Sequence, residues 1–446
     1  MKTPIYDFVK KYAESDVSRF HMPGHKGHGP LGVEALDITE IDGADVLYSA
    51  DGIIAESENN ATELFGSAHT FYSAEGSSLS IKAMLALACS KSKDRRPLIL
   101  AARNVHKAFV YAAALLDFDI EWVYPNEPTH LCTCMLTAGD VEAAILCADR
   151  LPTALYLTSP DYLGGIADIE SISKVCKRHG VLLLVDNAHG AYLNFLESSL
   201  HPISLGADMC CDSAHKTLPV LTGGAYLHIS KNSDTALLTL ARNTLSVFAS
   251  TSPSYLILES LDLCNAYIAD GYREKLQATV RKVAEIKKHL SSLDISVLDS
   301  EPLKITVSPR SVGYTGNELA NYLRNNKIEC EFADGEYVVL MVSTSNTDAD
   351  LDRLVGALEK LPKKSPLEPC VSFAPEKHEA RMRVREAVFA PREVIPASTS
   401  AGRILASPTV SCPPAVPIVV SGEVITERDV EVFARYGITE VEVVKF

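Results

Sequence analysis

The sequence predicts an α/β protein: a large domain on a mostly parallel sheet with helices on both faces, then a smaller α+β C-terminal domain. Three observations predict it. The first is the type of strand. Residues 181–185 (VLLLV) are continuously apolar and bounded by turn residues, the pattern of a strand buried on both faces. The second is alternation. Such runs are separated by amphipathic segments such as residues 168–179, which is how strand–helix–strand units read. The third is where the charges stand. Asp186 closes the 181–185 run, and Lys216 follows the apolar run 207–211 in the sequence Asp212-Ser213-Ala214-His215-Lys216-Thr217-Leu218. In open α/β sheets ligands bind at the carboxyl ends of strands, and a carboxylate there is costly to bury without a cationic partner. Asp186 reads equally as a cap of the next helix, and most lysines are solvated surface charges.

The 446 residues suffice for two domains with sizeable cores. Hydrophobic residues make up 47% and charged residues 22%, the composition of a globular protein with no run of membrane-spanning length. The net charge of −15 argues against a nucleic-acid partner. It fits a cationic substrate, and it fits solubility alone as well. The eleven cysteines have no framework spacing, and Cys210-Cys211 and Cys132-x-Cys134 are too close for the usual disulfide or zinc patterns. Free thiols in a reducing compartment are expected. The first seven residues hold no signal-peptide core, so a cytoplasmic protein without a membrane partner is expected.

Residues 1–60 read as an arm, with a short helix over 4–12 and a rigid loop at 21–30. Its three histidines, His21, His25 and His28, have no helix or hairpin to frame them, so no metal is expected there. An acidic stretch, 37–45, follows. Residues 61–293 read as the large domain, starting with a helix over 61–65. Gly76, Ser77 and Ser78 precede a helical run at 79–89. Glycine and hydroxyls at a helix start make an anion site, because unpaired N–H groups point outward there, or they simply cap it. Residues 97–101, 120–124, 153–158 and 224–229 read as strands. Helices are expected over 140–148 and 232–242, and another opens at Arg103-Asn104-Val105-His106-Lys107. Pro253 suits the first turn of one long helix towards residue 290. Residues 294–446 read as the small domain, with strands at 295–298 and 303–307 and helices at 318–324 and 348–361. A hairpin is expected around Asp334-Gly335, a linker over 362–366, and a capping box at Thr426 and Asp429.

Six segments occur in one order along nearly the whole chain: Phe20-His21-Met22-Pro23-Gly24-His25-Lys26-Gly27, Arg103-Asn104-Val105-His106-Lys107, Asp186-Asn187-Ala188-His189-Gly190-Ala191, Ser213-Ala214-His215-Lys216-Thr217-Leu218, Ser250-Thr251-Ser252-Pro253-Ser254-Tyr255, and Ala401-Gly402-Arg403-Ile404 with Pro413-Pro414-Ala415-Val416-Pro417. In this the chain resembles the ornithine/lysine/arginine decarboxylases, in their short form. The resemblance implies a fold type I pyridoxal phosphate enzyme that converts arginine, lysine or ornithine to the amine and carbon dioxide, as in polyamine biosynthesis. Arginine and lysine come first for the short form. It implies Lys216 as the Schiff-base lysine and Asp186 as partner of the pyridinium. His106 would stack on the ring, and Lys216 or His189 would return a proton to Cα. Gly76, Ser77, Ser78, Ser213 and His215 would hold the phosphate, with Ala188 also in the cofactor site. Ser252 would reach the phosphate of a neighbouring subunit, which makes the enzyme at least a homodimer. Glu423, Asp42 and Asp45 are candidates for the substrate's distal cation. Two positions depart from the family pattern: Glu75, beside the phosphate cup, and Cys412, where the family often carries an aromatic residue.

Two other readings stay open. One is a different reaction on the same cofactor, an aminotransferase or an aldolase-type lyase, against which the His21–Lys26 loop argues. The other is a catalytically weak regulatory paralogue, which Glu75 and Cys412 keep in play. Product analysis separates the first and bound-cofactor absorbance the second.

Overall fold

A computed structural model describes residues 1–126, 130–368, 374–408, 411–412 (backbone only) and 416–445. In chain order the elements are α1 (Pro4–Ala13), α2 (Ile53–Phe65), β1 (His69–Ser73), α3 (Gly76–Ser90), β2 (Leu98–Ala102), α4 (Lys107–Leu116), β3 (Asp119–Val123), α5 (Ala138–Cys147), β4 (Ala154–Thr158), α6 (Ile169–His179), β5 (Leu182–Asp186), β6 (Met209–Asp212), the single turn α7 (Ala214–Thr217) and β7 (Ala225–Ile229). Then come α8 (Thr235–Phe248), α9 (Tyr255–Ala269), α10 (Tyr272–Ser292), β8 (Ser296–Val297), β9 (Lys304–Ser308), α11 (Gly316–Asn325), β10 (Phe332–Ala333), β11 (Val338–Met341), α12 (Asp348–Glu359), α13 (Val384–Phe389), β12 (Arg392–Pro396), β13 (Ser411–Cys412), β14 (Val416–Pro417), α14 (Glu427–Arg435) and β15 (Glu440–Val444).

Contacts divide the chain into two units, each built from two stretches: residues 1–93 with 169–276, and 94–168 with 277–446. In the first, β6 lies parallel to β5, while β7 runs antiparallel to both β6 and β1. Residues 213–224 join β6 to β7 and hold only the single helical turn α7, not the long helix that usually crosses over between parallel neighbours. In the second unit β2 lies between β3 and β4 and is parallel to both. The α/β class with mostly parallel pairing is as the apolar strands predict. The second unit also holds the expected hairpin. β10 and β11 pair antiparallel, Ala333 opposite Val338, around a four-residue connection starting at Asp334.

The core of the first unit is aromatic at its centre. Phe65, at the end of α2, lies 5.1 Å from the Phe195 ring, 5.2 Å from Tyr226 and 4.5 Å from His228. One core of the second unit is mainly aliphatic, with Leu131, Val339, Leu405 and Val443 packed around Phe332 and Phe433.

Several helices depart from the sequence reading: α8, expected over 232–242, runs to Phe248, α13 is unexpected, and two others show why. α2 starts at Ile53, eight residues before the expected start at 61. Its buried positions, Ile54, Ser57, Glu58, Ala61 and Phe65, follow the helical period, but two are polar. Glu58 is buried because Arg242 Nη2 reaches it at 2.5 Å and the Tyr72 N–H at 2.9 Å. The one long helix expected after Pro253 is two helices. Ser254 is the residue before α9, and the chain breaks at Asp270-Gly271, where Gly271 has φ +70°. A left-handed glycine ends a helix by closing its last carbonyls in a turn.

Buried carboxylates tie down the N-terminal helices. Asp262 on α9 accepts the N–H groups of Ile5 and Tyr6 at 2.9 and 3.0 Å, satisfying first-turn donors of α1 that have no intrahelical partner. Asp45 does the same for α2, accepting from Gly52 and Ile54 at 2.8 and 3.0 Å. Glu259, one turn before Asp262, is buried, and its Oε1 has no partner among the described residues. Burial, then the charges of Asp37 and Asp262, push its carboxyl up to about 8.

A carboxyl with a raised folded pKa holds its proton where the unfolded chain has lost it, so stability falls as pH rises from about 4.5 through about 8. Glu259→Gln should therefore stabilise the protein by about 2 kcal/mol near pH 9 and change little near pH 5. Urea denaturation at both pH values measures this, and an equal effect at both would refute it.

Candidate active site

The site begins with two strands that end together. β5 and β6 are parallel, with Asp186 opposite Cys211, so both carboxyl ends open on one edge. Asp186 is buried and its Oδ1 accepts the Ala188 N–H at 3.2 Å. The Cys211 thiol points at the same oxygen from 3.6 Å. Burial, and then this carboxylate, hold the thiol well above its ordinary pKa, so it stays protonated.

Beyond β5 the chain turns tightly. The Gly190 N–H donates to Asn187 O at 2.8 Å, and a Cβ on Gly190 would lie 2.0 Å from Asn187 Oδ1. The turn carries His189. Beyond β6, Ser213 leads into α7, whose one turn carries His215 and Lys216. Lys216 Nζ lies 3.1 Å from His189 Nε2. The two strand ends thus bring together an amine and an imidazole that stand twenty-seven residues apart in sequence.

The start of α3 adds the third part. Gly76 has φ +72° and donates its N–H to Gly223 O at 2.7 Å. Ser77 and Ser78 follow in the first turn, where N–H groups lack intrahelical acceptors and the helix dipole is positive. Ser213 Oγ donates to Ser77 Oγ at 2.8 Å, joining the lysine loop to this helix start. His215 Nδ1 donates to Gly224 O at 3.0 Å. Burial first, and the nearby Lys216 charge, lower the pKa of His215, so the neutral ring keeps its lone pair on Nε2.

Glu75 does not cap α3. Its Oε1 accepts the Ser250 N–H at 2.6 Å, which commits the carboxylate to the 250–252 loop. Ser252, exposed in that loop, donates its own N–H to Ser250 Oγ at 3.1 Å.

His106 belongs to the second unit. It caps α4, its Nδ1 accepting the Ala108 N–H at 3.1 Å. Nearby in sequence, Arg103 is fully buried and donates to Pro417 O, Ile418 O and Glu423 Oε2 at 3.0, 3.0 and 3.2 Å. Glu423 also accepts the Val420 N–H at 2.7 Å. Two of the three acids put forward for a distal cation are thus committed elsewhere: Glu423 to Arg103, and Asp45 to the cap of α2. Asp42 is exposed. Pro413, Pro414 and Ala415, and the Cys412 side chain, lie outside the described residues.

Sequence reasoning missed Gly223 and Gly224 as parts of the cup. They were legible as a turn, but the bonds of their carbonyls to Gly76 and His215 depend on the β6–β7 pairing. It also missed Cys211, which read as one apolar strand residue among several.

The sequence profile described as the Orn/Lys/Arg decarboxylase major domain matches residues 3–308. Among curated proteins, the arginine decarboxylases of Halalkalibacterium halodurans and Bacillus subtilis are each 30% identical to the chain, covering 96% of it and 92% of their own length. Among solved structures, the Francisella novicida lysine decarboxylase LdcF superposes with a TM-score of 0.80 at 16% identity, over 99% of this chain and 81% of that one. At that identity the likeness concerns the fold.

The two cup glycines should respond differently to substitution. Gly76 has a left-handed φ of +72° and open space where a Cβ would stand, whereas Gly223, at φ +102°, would press a Cβ to 3.1 Å from Ala74 O. Gly76→Ala should cost about 1 kcal/mol, and Gly223→Ala about 2–3 kcal/mol. Denaturant unfolding of both variants gives the order, and the reverse order would refute the geometry.

Proposed function

Since this chain belongs to the Orn/Lys/Arg decarboxylase family and is an amino acid decarboxylase, we propose that it uses pyridoxal phosphate to convert a basic amino acid, arginine before lysine or ornithine, to the amine and carbon dioxide. The observation that carries the reading is the juxtaposition of Lys216 with His189 beside the Asp186 strand end, with the Ser77–Ser213 pair at the start of α3. Arginine comes first because relatives of nearly full length carry that name.

The donor set fits the cofactor. A buried strand-end carboxylate suits a protonated ring nitrogen, a lysine amine suits the aldehyde carbon, and hydroxyls with helix N–H groups suit a phosphate. When bound, pyridoxal phosphate supplies an electron sink for the pair released as the Cα–carboxylate bond breaks. Asp186 favours the protonated ring nitrogen, because an opposite charge stabilises the charged form. Ser77, Ser78, Ser213 and the Gly76 turn hold the phosphate and so fix the orientation of the substrate bond. His215 Nε2 can donate to that phosphate only when protonated, since Nδ1 is committed to Gly224 O. Lys216 and His189 exchange a proton across their hydrogen bond, and the pair returns one to Cα. Ala188 would contact the cofactor, and Ser252 would serve a partner subunit's site.

We take the working form to be at least a homodimer in the cytoplasm. No helix among the described residues is long and apolar enough to cross a membrane.

Carbon dioxide release with added pyridoxal phosphate, run on arginine, lysine and ornithine in parallel, tests the reading. Lys216→Ala should lose the visible absorbance of bound cofactor and nearly all turnover. Asp186→Ala should keep part of the absorbance and lose about 10³-fold in kcat. Full release by Lys216→Ala would overturn the mechanism. Wild type with neither release nor absorbance would favour a non-catalytic paralogue.

A further inference from the structure

A second cluster lies on the far face of β6. Side chains alternate across a strand, so Cys211 faces Asp186 while Cys210 and Asp212 share the opposite face. The β6–β7 register sets His228 directly across from Cys210. His201, from the segment before β6, completes the group. All four residues are 0% exposed, and their ligand-type atoms lie within 4.8 Å of one another.

We infer that His201, Cys210, Asp212 and His228 form a closed structural zinc site. Zn²⁺ takes four N, S or O ligands at about 2.0–2.3 Å, which sets the edges of the tetrahedron at about 3.3–3.6 Å. Here His201 Nε2 and His228 Nε2 lie 3.0 and 3.1 Å from Asp212 Oδ2, and Cys210 Sγ lies 3.9 Å from His201 Nε2. These three separations are within a few tenths of an ångström of the metal geometry, and the remaining pairs, all within 4.8 Å, close by about an ångström at most to reach it. Charge also fits: a dication with one carboxylate and one thiolate is neutral, as a fully buried site requires.

Hydrogen bonding explains only part of the cluster. Without metal, both imidazoles direct Nε2–H at Asp212, and the Cys210 sulfur faces an N–H already committed. Burial keeps its thiol protonated, although a backbone hydrogen bond from Ile203 favours the thiolate. Zinc binding would remove the thiol proton and move each imidazole N–H from Nε2 to Nδ1. For His228 the acceptor is in place: Thr70 Oγ1 lies 2.8 Å from Nδ1, with Ser67 Oγ 2.8 Å beyond, whereas the buried His201 Nδ1 has no partner among the described residues and needs one to come into reach. Asn187 Nδ2 holds the other Asp212 oxygen at 2.6 Å. Such outer hydrogen bonds orient metal ligands, and the Phe65 ring, 4.5 Å from His228 and 5.6 Å from His201, keeps the site dry. Four protein ligands leave no open position, so the role is structural. Asp212 precedes Ser213 and Asn187 follows Asp186, so a metal here would pin both strand ends of the active site.

The test uses full-length, tag-free protein and needs no turnover, so it stands or falls apart from the decarboxylase reading. Elemental analysis should find about one zinc per chain. Cobalt loaded in its place should show tetrahedral d–d bands with a thiolate charge-transfer band. Cys210→Ser should lose the charge-transfer band. His228→Asn should lose the metal. Less than about a tenth of an equivalent of zinc and no cobalt bands, in wild type that melts cooperatively, would overturn the proposal and leave a hydrogen-bonded cluster. A charge-transfer band that persists in Cys210→Ser would also overturn it, since the metal would then lie elsewhere.

Discussion

The parallel pairing of β5 with β6 is the contact on which the site depends. Both strands are too apolar and too buried to carry a charge mid-strand, so their ionisable residues stand at the carboxyl ends. Parallel register then brings those ends to one edge, with Asp186 opposite Cys211. The next few residues of each chain, a tight turn on one side and a single helical turn on the other, need only reach across a strand spacing to set Lys216 against His189. An antiparallel pairing of the same strands would have sent the two groups to opposite edges.

Polar contacts elsewhere in each unit act as tethers. Asp45 and Asp262 satisfy the first-turn N–H groups of α2 and α1, and Arg103 fastens the 417–418 backbone to Glu423. These groups are costly to bury and tolerable only because each has several partners. That explains why acids that looked available for a substrate are not. Asp45 lies in a stretch rich in acids, but a carboxylate that already accepts backbone N–H bonds gains less from an added cation. Glu75 belongs to the same group. Its bond to Ser250 commits to the 250–252 loop a charge that would otherwise oppose an anion at the start of α3.

Local patterns were read well where one physical rule decided the outcome. β5 was legible from five apolar residues ending in an aspartate, and α14 from the Thr426–Asp429 capping box. The start of α3 was legible from glycine and hydroxyls ahead of an apolar run. Reading failed where tertiary partners outweighed local chemistry. Glu58 and Ser57 hid the first two turns of α2, because a buried ion pair looks like a solvated face in sequence. The Asp270-Gly271 break was hidden because a single glycine is tolerated inside many helices.

The sequence by itself determined the layered α/β class, the strand-end positions of Asp186 and Lys216, and the family, since each depends on residue order within short windows. Only the tertiary structure decided which groups touch. The 3.1 Å contact of Lys216 with His189, the Ser213–Ser77 bond, and the meeting of His201, Cys210, Asp212 and His228 on the far face of β6 all depend on which strands pair and in what register. Cys210 and Cys211 show the physical reason. They are adjacent and chemically identical in sequence, yet alternation along the strand sends one to the active-site carboxylate and the other to the histidine cluster.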